Sequence, residues 1–306
     1  MIVAVSLDPA VHVSYETRRV RPGTTHDVGR VRYRAGGRGP AVARLLHTFG
    51  HEVVAAGLAG GTAGELIRAE LARFGVPTQF TPIAMESRRV VEVAETETGT
   101  TTSFAEPSPY ITTEELGRLA ADYRSLIDGA SAAVLCGGLP DGLPPETYAT
   151  FATYAAEAGV PVVLDAGGTA LWHAVARHPV LAVPEPAARS AAVPPGPQAA
   201  GCDGDPAALM AAGAGAVAMM SGDTVSVHTA GGRWQARLAG SSGRAAAMSR
   251  DALVAGFVPG VALGWDWPDS VRHAVSLAAS AGRDGVIDLV TYEELLAEVT
   301  IDELGG

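Results

Sequence analysis

Short apolar runs closed by glycine or proline alternate along this chain with segments of helical period, and that alternation limits the fold more than any other feature. Ile2–Leu7, Val53–Gly57, Ala132–Leu135, Val160–Leu164, Val180–Val183, Ala216–Met220 and Val225–Thr229 have the length and composition of buried strands. Between them, Ala41–Phe49 sets Val42, Leu45, Leu46 and Phe49 on one helical face and stops at Gly50. Ala63–Phe74, Pro145–Ala158, Ala170–Ala176, Asp251–Leu263, Ser270–Ala281 and Tyr292–Glu298 read as helices by the same pattern. Strands separated by helices form βαβ units, so the expected fold class is α/β, with a doubly wound, mostly parallel sheet flanked by helices.

Two stretches break the rhythm. Residues 11–34 and 88–104 alternate apolar and polar side chains with period two, as in Val91-Glu-Val-Ala-Glu-Thr-Glu. That period belongs to half-exposed antiparallel strands, which do not fit inside a parallel sheet. The economical layout is one domain over 1–306 carrying a small β lid made of two sequence-distant hairpins. Pro184–Pro206 reads as a loop.

The chain has 306 residues, 47% hydrophobic and 18% charged, which is enough apolar content for a sizeable core. A net charge of -11 repels nucleic acid and anionic membrane surfaces. All 22 basic residues are arginine, so any anion site must use guanidinium groups. No apolar run is long enough to span a bilayer, and the first residues read as a strand, not a leader; a soluble cytoplasmic protein is expected. Cys136 and Cys202 make neither a disulfide framework nor a zinc site, and Cys136, after an apolar run, reads as a buried thiol. His26, His51, His173, His178 and His228 show no metal-ligand spacing.

Four segments then line up in order: Ser6-Leu7-Asp8-Pro9-Ala10, Gly36-Gly37-Arg38-Gly39-Pro40-Ala41, Gly137-Gly138-Leu139-Pro140-Asp141-Gly142 and Asp251-Ala252-Leu253-Val254-Ala255-Gly256-Phe257. Phe104–Pro109, Leu164–Gly168 and Gly60–Gly64 add weaker matches. The ordered set resembles the PfkB (ribokinase-like) carbohydrate kinases over essentially the whole chain, the 1-phosphofructokinase and tagatose-6-phosphate kinase branch in particular. The resemblance implies transfer of the ATP γ-phosphate to a hydroxyl of a phosphosugar, with Mg2+ as the accompanying ion. It places the general base at Asp251, in the first turn of a helix that Ser249 can cap. It assigns the acceptor site to Asp8, His12, Gly36, Gly37, Arg38, Gly39, Arg88 and Gly138, and a weak, water-mediated Mg2+ role to Glu106.

This chain departs from the family pattern where phosphate and nucleotide bind. Met248-Ser249-Arg250-Asp251 stands where the family has Gly-Ala-Gly-Asp. Glycine there permits close backbone approach to phosphate; here Arg250 either supplies its own charge or occupies the opening. Val183-Pro184-Glu185-Pro186-Ala187-Ala188 replaces Lys-Pro-Asn-x-x-Glu, so an unpaired Glu185 would repel a triphosphate. Ser221-Gly222 keeps part of a nucleotide-contact motif, and His12 stands where the family has Asp. Two readings stay open: an active sugar-phosphate kinase, or a pseudokinase that binds a phosphosugar in a regulatory role. The apolar alternating face of the lid strands suggests a homodimer formed through the lid.

Overall fold

In the computed structural model, which describes residues 1–185, 204–222, 224–237, 248–281 and 287–304, the chain begins β1 (Ile2–Ser6), β2 (Ala10–Thr17), β3 (Arg30–Gly36), α1 (Arg38–Thr48), β4 (Val53–Ala59) and α2 (Gly61–Arg73). It continues β5 (Thr78–Pro82), β6 (Arg89–Glu95), β7 (Thr101–Ala105), α3 (Thr113–Ile127), β8 (Ala132–Cys136) and α4 (Thr147–Glu157). Then follow β9 (Val162–Ala166), α5 (Gly168–Val175), β10 (Leu181–Pro184), α6 (Pro206–Ala212), β11 (Ala216–Ser221), β12 (Thr224–Thr229) and β13 (Gly232–Arg237). The last elements are α7 (Arg250–Leu263), α8 (Trp267–Ser280), α9 (Leu289–Glu298) and β14 (Thr300–Leu304).

Ten strands form one sheet in the order β14-β13-β12-β11-β10-β9-β8-β1-β4-β5. It is parallel from β5 to β11 and antiparallel from β11 to β14, so the expected parallel sheet carries an antiparallel end. Strand alternation divides the core in two. Ile2, Ala4, Ala132 and Val134 face a cluster with α1, α2, α7 and α8, whereas Val3, Val5, Ala133 and Leu135 face one with α3, α4 and α5. In the second cluster Tyr123 and Phe151 stack at 4.7 Å.

The lid is a separate four-stranded sheet in the order β3-β2-β6-β7. Each hairpin is antiparallel as expected, but the seam between them, β2 against β6, is parallel. Local alternation fixes which residues share a face and says nothing of the direction of a distant partner. Two further differences concern helices. The first helix starts at Arg38, three residues before the sequence pattern suggests, because Gly37 at φ 91 turns the chain into it and Pro40 fits a first turn. Helix α3, absent from the pattern reading, opens on a complete capping box between Thr112 and Glu115.

Candidate active site

The lid joins the α/β body at four crossings, residues 7–9, 37, 83–88 and 106–112, and each carries a residue of the expected acceptor site or lies beside one. Arg88 Nε lies 2.8 Å from Asp8 Oδ2, and the Ser108 hydroxyl donates to the same oxygen at 2.8 Å. The Arg88–Asp8 contact is close but out of line for a hydrogen bond. Among the described residues Arg88 Nε and Asp8 Oδ1 are both buried without a hydrogen-bond partner. Burial raises the Asp8 pKa against the lowering by Arg88 and Ser108. Buried polar atoms left open in this way are suited to a ligand that brings a hydroxyl and an anionic oxygen.

The glycines of the β3–α1 turn make room for that arrangement. A Cβ on Gly39 would lie 2.6 Å from Ser6 Cβ, and one on Gly36 would lie 1.9 Å from the His12 ring. His12 is thus packed over Gly36, with Nδ1 3.9 Å from Glu92 Oε1. Burial lowers its pKa, opposed by Glu92. Among the described residues nothing lies within 4 Å of a Cβ added to Gly138. The turn before it is held by the buried Tyr148, whose hydroxyl lies 3.0 Å from Cys136 O and 3.1 Å from Gly137 O. Cys136 is buried. Glu106, at the exposed end of β7, accepts from the Arg89 backbone N–H at 2.8 Å and lies 3.6 Å from the Arg89 guanidinium.

Behind these crossings, where β9 and β10 end and α1 and α7 begin, five charged side chains meet. Arg38 Nη1 donates to Asp165 Oδ2 at 3.3 Å and lies 3.7 Å from Asp251 Oδ1, while its Nη2 donates to Glu185. Arg250 donates to Asp165 Oδ1 from Nε at 3.0 Å and from Nη2 at 2.6 Å, and from Nη2 to Val183 O at 2.8 Å. Burial lowers the Arg38 pKa, but Asp165, Glu185 and Asp251 together outweigh it and hold the guanidinium firmly protonated. Asp251 is pushed up to about 6: burial raises it, Arg38 lowers it, Asp165 raises it and Arg250 lowers it.

Several expected site residues therefore take specific places. Arg38 turns toward the carboxylates around Asp251, and Glu185 is paired with it. Ser249 caps α7 through its side chain, accepting from Ala252 N at 3.3 Å. Met248 packs against the hydrophobic core. Ser221 and Gly222 form the exposed β11–β12 turn, without a contact to the charged cluster among the described residues. The segment after Glu185, with Ala188 and Cys202, lies outside the described residues.

Two residues of the site are not singled out by sequence. Ser108 holds Asp8. Asp165 holds both arginines and is fully buried; its signal is a lone carboxylate ending the apolar run Val162-Val163-Leu164. Among the described residues no group of three or more His, Cys, Asp or Glu side chains could hold a metal ion.

Residues 1–186 match the family model described as pfkB family carbohydrate kinase. Solved structures share the fold along the whole length. A Thermotoga maritima protein described as a possible 1-phosphofructokinase is 19% identical with a TM-score of 0.82, covering 99% of each chain. Escherichia coli phosphofructokinase-2 in complex with potassium is 20% identical with a TM-score of 0.85, covering 97% of this chain and 98% of its own. A carbohydrate kinase from Agrobacterium tumefaciens is 16% identical with a TM-score of 0.77 and 99% coverage of both.

Proposed function

Because the chain belongs to the pfkB family of carbohydrate kinases, we propose that it transfers the γ-phosphoryl group of ATP to a hydroxyl of a sugar phosphate. The observation that carries this reading is Asp251, a first-turn carboxylate of α7 with a pKa raised to about 6 beside two arginines. Such a group is ionised at neutral pH yet basic enough to accept the proton of an attacking hydroxyl. Ser249 takes the Ala252 N–H, which leaves the Arg250 and Asp251 amides without a partner among the described residues. These amides and the positive end of α7 suit a phosphoryl group. On the acceptor side, Asp8 would take a sugar hydroxyl and Arg88 the phosphate of the acceptor. Escherichia coli phosphofructokinase-2, whose fold is shared, is described in complex with fructose-6-phosphate.

The chemistry of the donor set fits a nucleotide phosphate through Arg38, Arg250 and the α7 amides. It offers no ready cage for Mg2+, since the nearby carboxylates are engaged by arginines. Mg2+ would be held chiefly by phosphate oxygens, where it neutralises their charge when bound. The protein's own part is to orient the acceptor, take its proton at Asp251 and hold positive charge near the transferred group.

A coupled assay with MgATP and fructose-1-phosphate or fructose-6-phosphate tests the reading. Turnover above background that disappears in Asp251→Asn is expected; equal rates in native and variant protein would defeat it. One observation favours the pseudokinase alternative: Arg250 is tied to Asp165 and Val183 at the family's phosphate hole. A melting shift with sugar phosphate and none with MgATP supports that alternative; ligand at 100 times its dissociation constant stabilises by about 2.7 kcal/mol. The lid supports a further reading, a homodimer. Tyr33, Val13, Val91 and Phe104 form one apolar row across its four strands; Val13 and Val91 pack against the chain's own core, so only Tyr33 and Phe104, exposed on the edge strands, are offered to a partner.

A further inference from the structure

The charged cluster behind Asp251 has a centre, and it is not the base. Resting on the kinase reading above, we infer that Asp165 is a positioning residue: its two oxygens hold Arg38 and Arg250 side by side, so that an arginine edge takes the place of the family's glycine-rich phosphate hole. Asp165 is fully buried at the end of an apolar strand, a costly place for a carboxylate unless its charge is matched. It is matched twice, through separate oxygens: Oδ1 receives Arg250 Nε and Nη2, and Oδ2 receives Arg38 Nη1.

The remaining bonds decide which positive edge stays available. Arg38 spends its Nη2 on Glu185. Arg250 spends its Nη2 a second time on Val183 O, but its Nη1 has no partner among the described residues. That open edge belongs to the residue just before Asp251, on the turn whose own amides are unpaired. Two arginines against Asp165 leave one positive charge, which Glu185 cancels, and Asp251 adds a negative charge; the Glu185 and Asp251 contacts both fall on Arg38, not on the Arg250 guanidinium. With Nε and both Nη2 hydrogens engaged, a guanidinium held from behind by a buried carboxylate keeps its two Nη1 N–H groups as a preorganised, charge-assisted donor for a phosphoryl oxygen. The two glycines replaced by Met248 and Arg250 are then not simply lost. One position packs into the core, and the other carries the charge.

Calorimetric titration of inorganic pyrophosphate into native protein, Arg250→Gly and Asp165→Asn, with melting curves for each, reads the clamp without requiring turnover. The dissociation constant should rise at least tenfold in both variants, and the double variant should lie within about threefold of Arg250→Gly alone, because Asp165 acts largely through Arg250. In turnover, Arg250→Gly should lower kcat about 10²–10³-fold and leave the acceptor KM nearly unchanged. Millimolar guanidinium should restore part of that rate only while Asp165 is present. If Asp165→Asn does not fold, Arg250→Gly on the helix end still decides the matter. Native-like pyrophosphate affinity or native-like kcat in Arg250→Gly overturns the clamp, as does a native chain that does not bind pyrophosphate. A native chain that binds pyrophosphate through Arg250 but phosphorylates no acceptor overturns the kinase reading and leaves the clamp standing.

Discussion

Replacing Asp251 by asparagine should stabilise the protein while removing its activity. Three carboxylates, Asp165, Glu185 and Asp251, share two guanidinium groups, so the cluster carries one uncompensated negative charge. Burial raises the Asp251 pKa from 3.8 to about 6, with Asp165 adding to the rise against the lowering by Arg38, Arg250 and Arg44. A shift of about two units corresponds to about 3 kcal/mol between the protonation states. The side chain is 36% exposed, and screening by water reduces this to about 2 kcal/mol. A carboxylate with a raised folded pKa contributes its full stability below the unfolded value and loses it as pH rises through the folded value. The native protein is therefore handicapped above about pH 6, while the Asp251→Asn variant, whose amide is neutral at every pH, is not. For 306 residues, with about 2.1 cal/mol/K of unfolding entropy per residue, 2 kcal/mol amounts to about 3 °C. Calorimetric scans of ligand-free protein should place Asp251→Asn about 3 °C above native at pH 8, with the gap closing toward pH 4. No gap at pH 8, or the same gap at both pH values, would refute the reasoning.

Four other outcomes follow from the structure. For the active enzyme, kcat/KM should rise tenfold per pH unit up to about 6 and level off, because Asp251 must be ionised to accept a proton; a flat profile from pH 5 to 8 contradicts this. Gly39→Ala drives a methyl to 2.6 Å from Ser6 Cβ and should cost about 1–3 kcal/mol in denaturant titration. Gly117→Ala, inside α3 with nothing within 4 Å, should instead gain up to about 1 kcal/mol. Sedimentation at micromolar concentration should find a dimer that Tyr33→Asp dissociates; a native monomer removes the lid interface.

The parts of this fold readable in sequence are those dictated by nearby residues. β1, β4, β8 and β9 are buried on both faces and appear as short apolar runs, with Ser6 at the end of β1 and Asp165 near the end of β9 as the polar members. The early start of α1 is hidden because Gly37-Arg38-Gly39-Pro40 has poor helical propensity, and only the turn at Gly37 and packing on Ser6 make it helical. Asp251 and its cap Ser249 are readable, since a helix start is a local feature. The orientation of Arg38 is not. Its partners Asp165 and Glu185 are 127 and 147 positions away, and no spacing rule connects them. From sequence alone Glu185 reads as an unpaired charge and Arg250 as an intruder for the same reason, since each is resolved by a distant partner.

Three of the four crossings that carry the lid also carry the residues proposed to grip the acceptor, Asp8 and Arg88, and Ser108 that holds Asp8. The jaw and its teeth are therefore one part. A swing of the small sheet carries Asp8 and Arg88 in the same movement, because Val11 N–H bonds to Arg88 O at the base of the parallel seam. If Asp8 and Arg88 do hold the acceptor, its binding and any tilt of the small sheet share a single equilibrium.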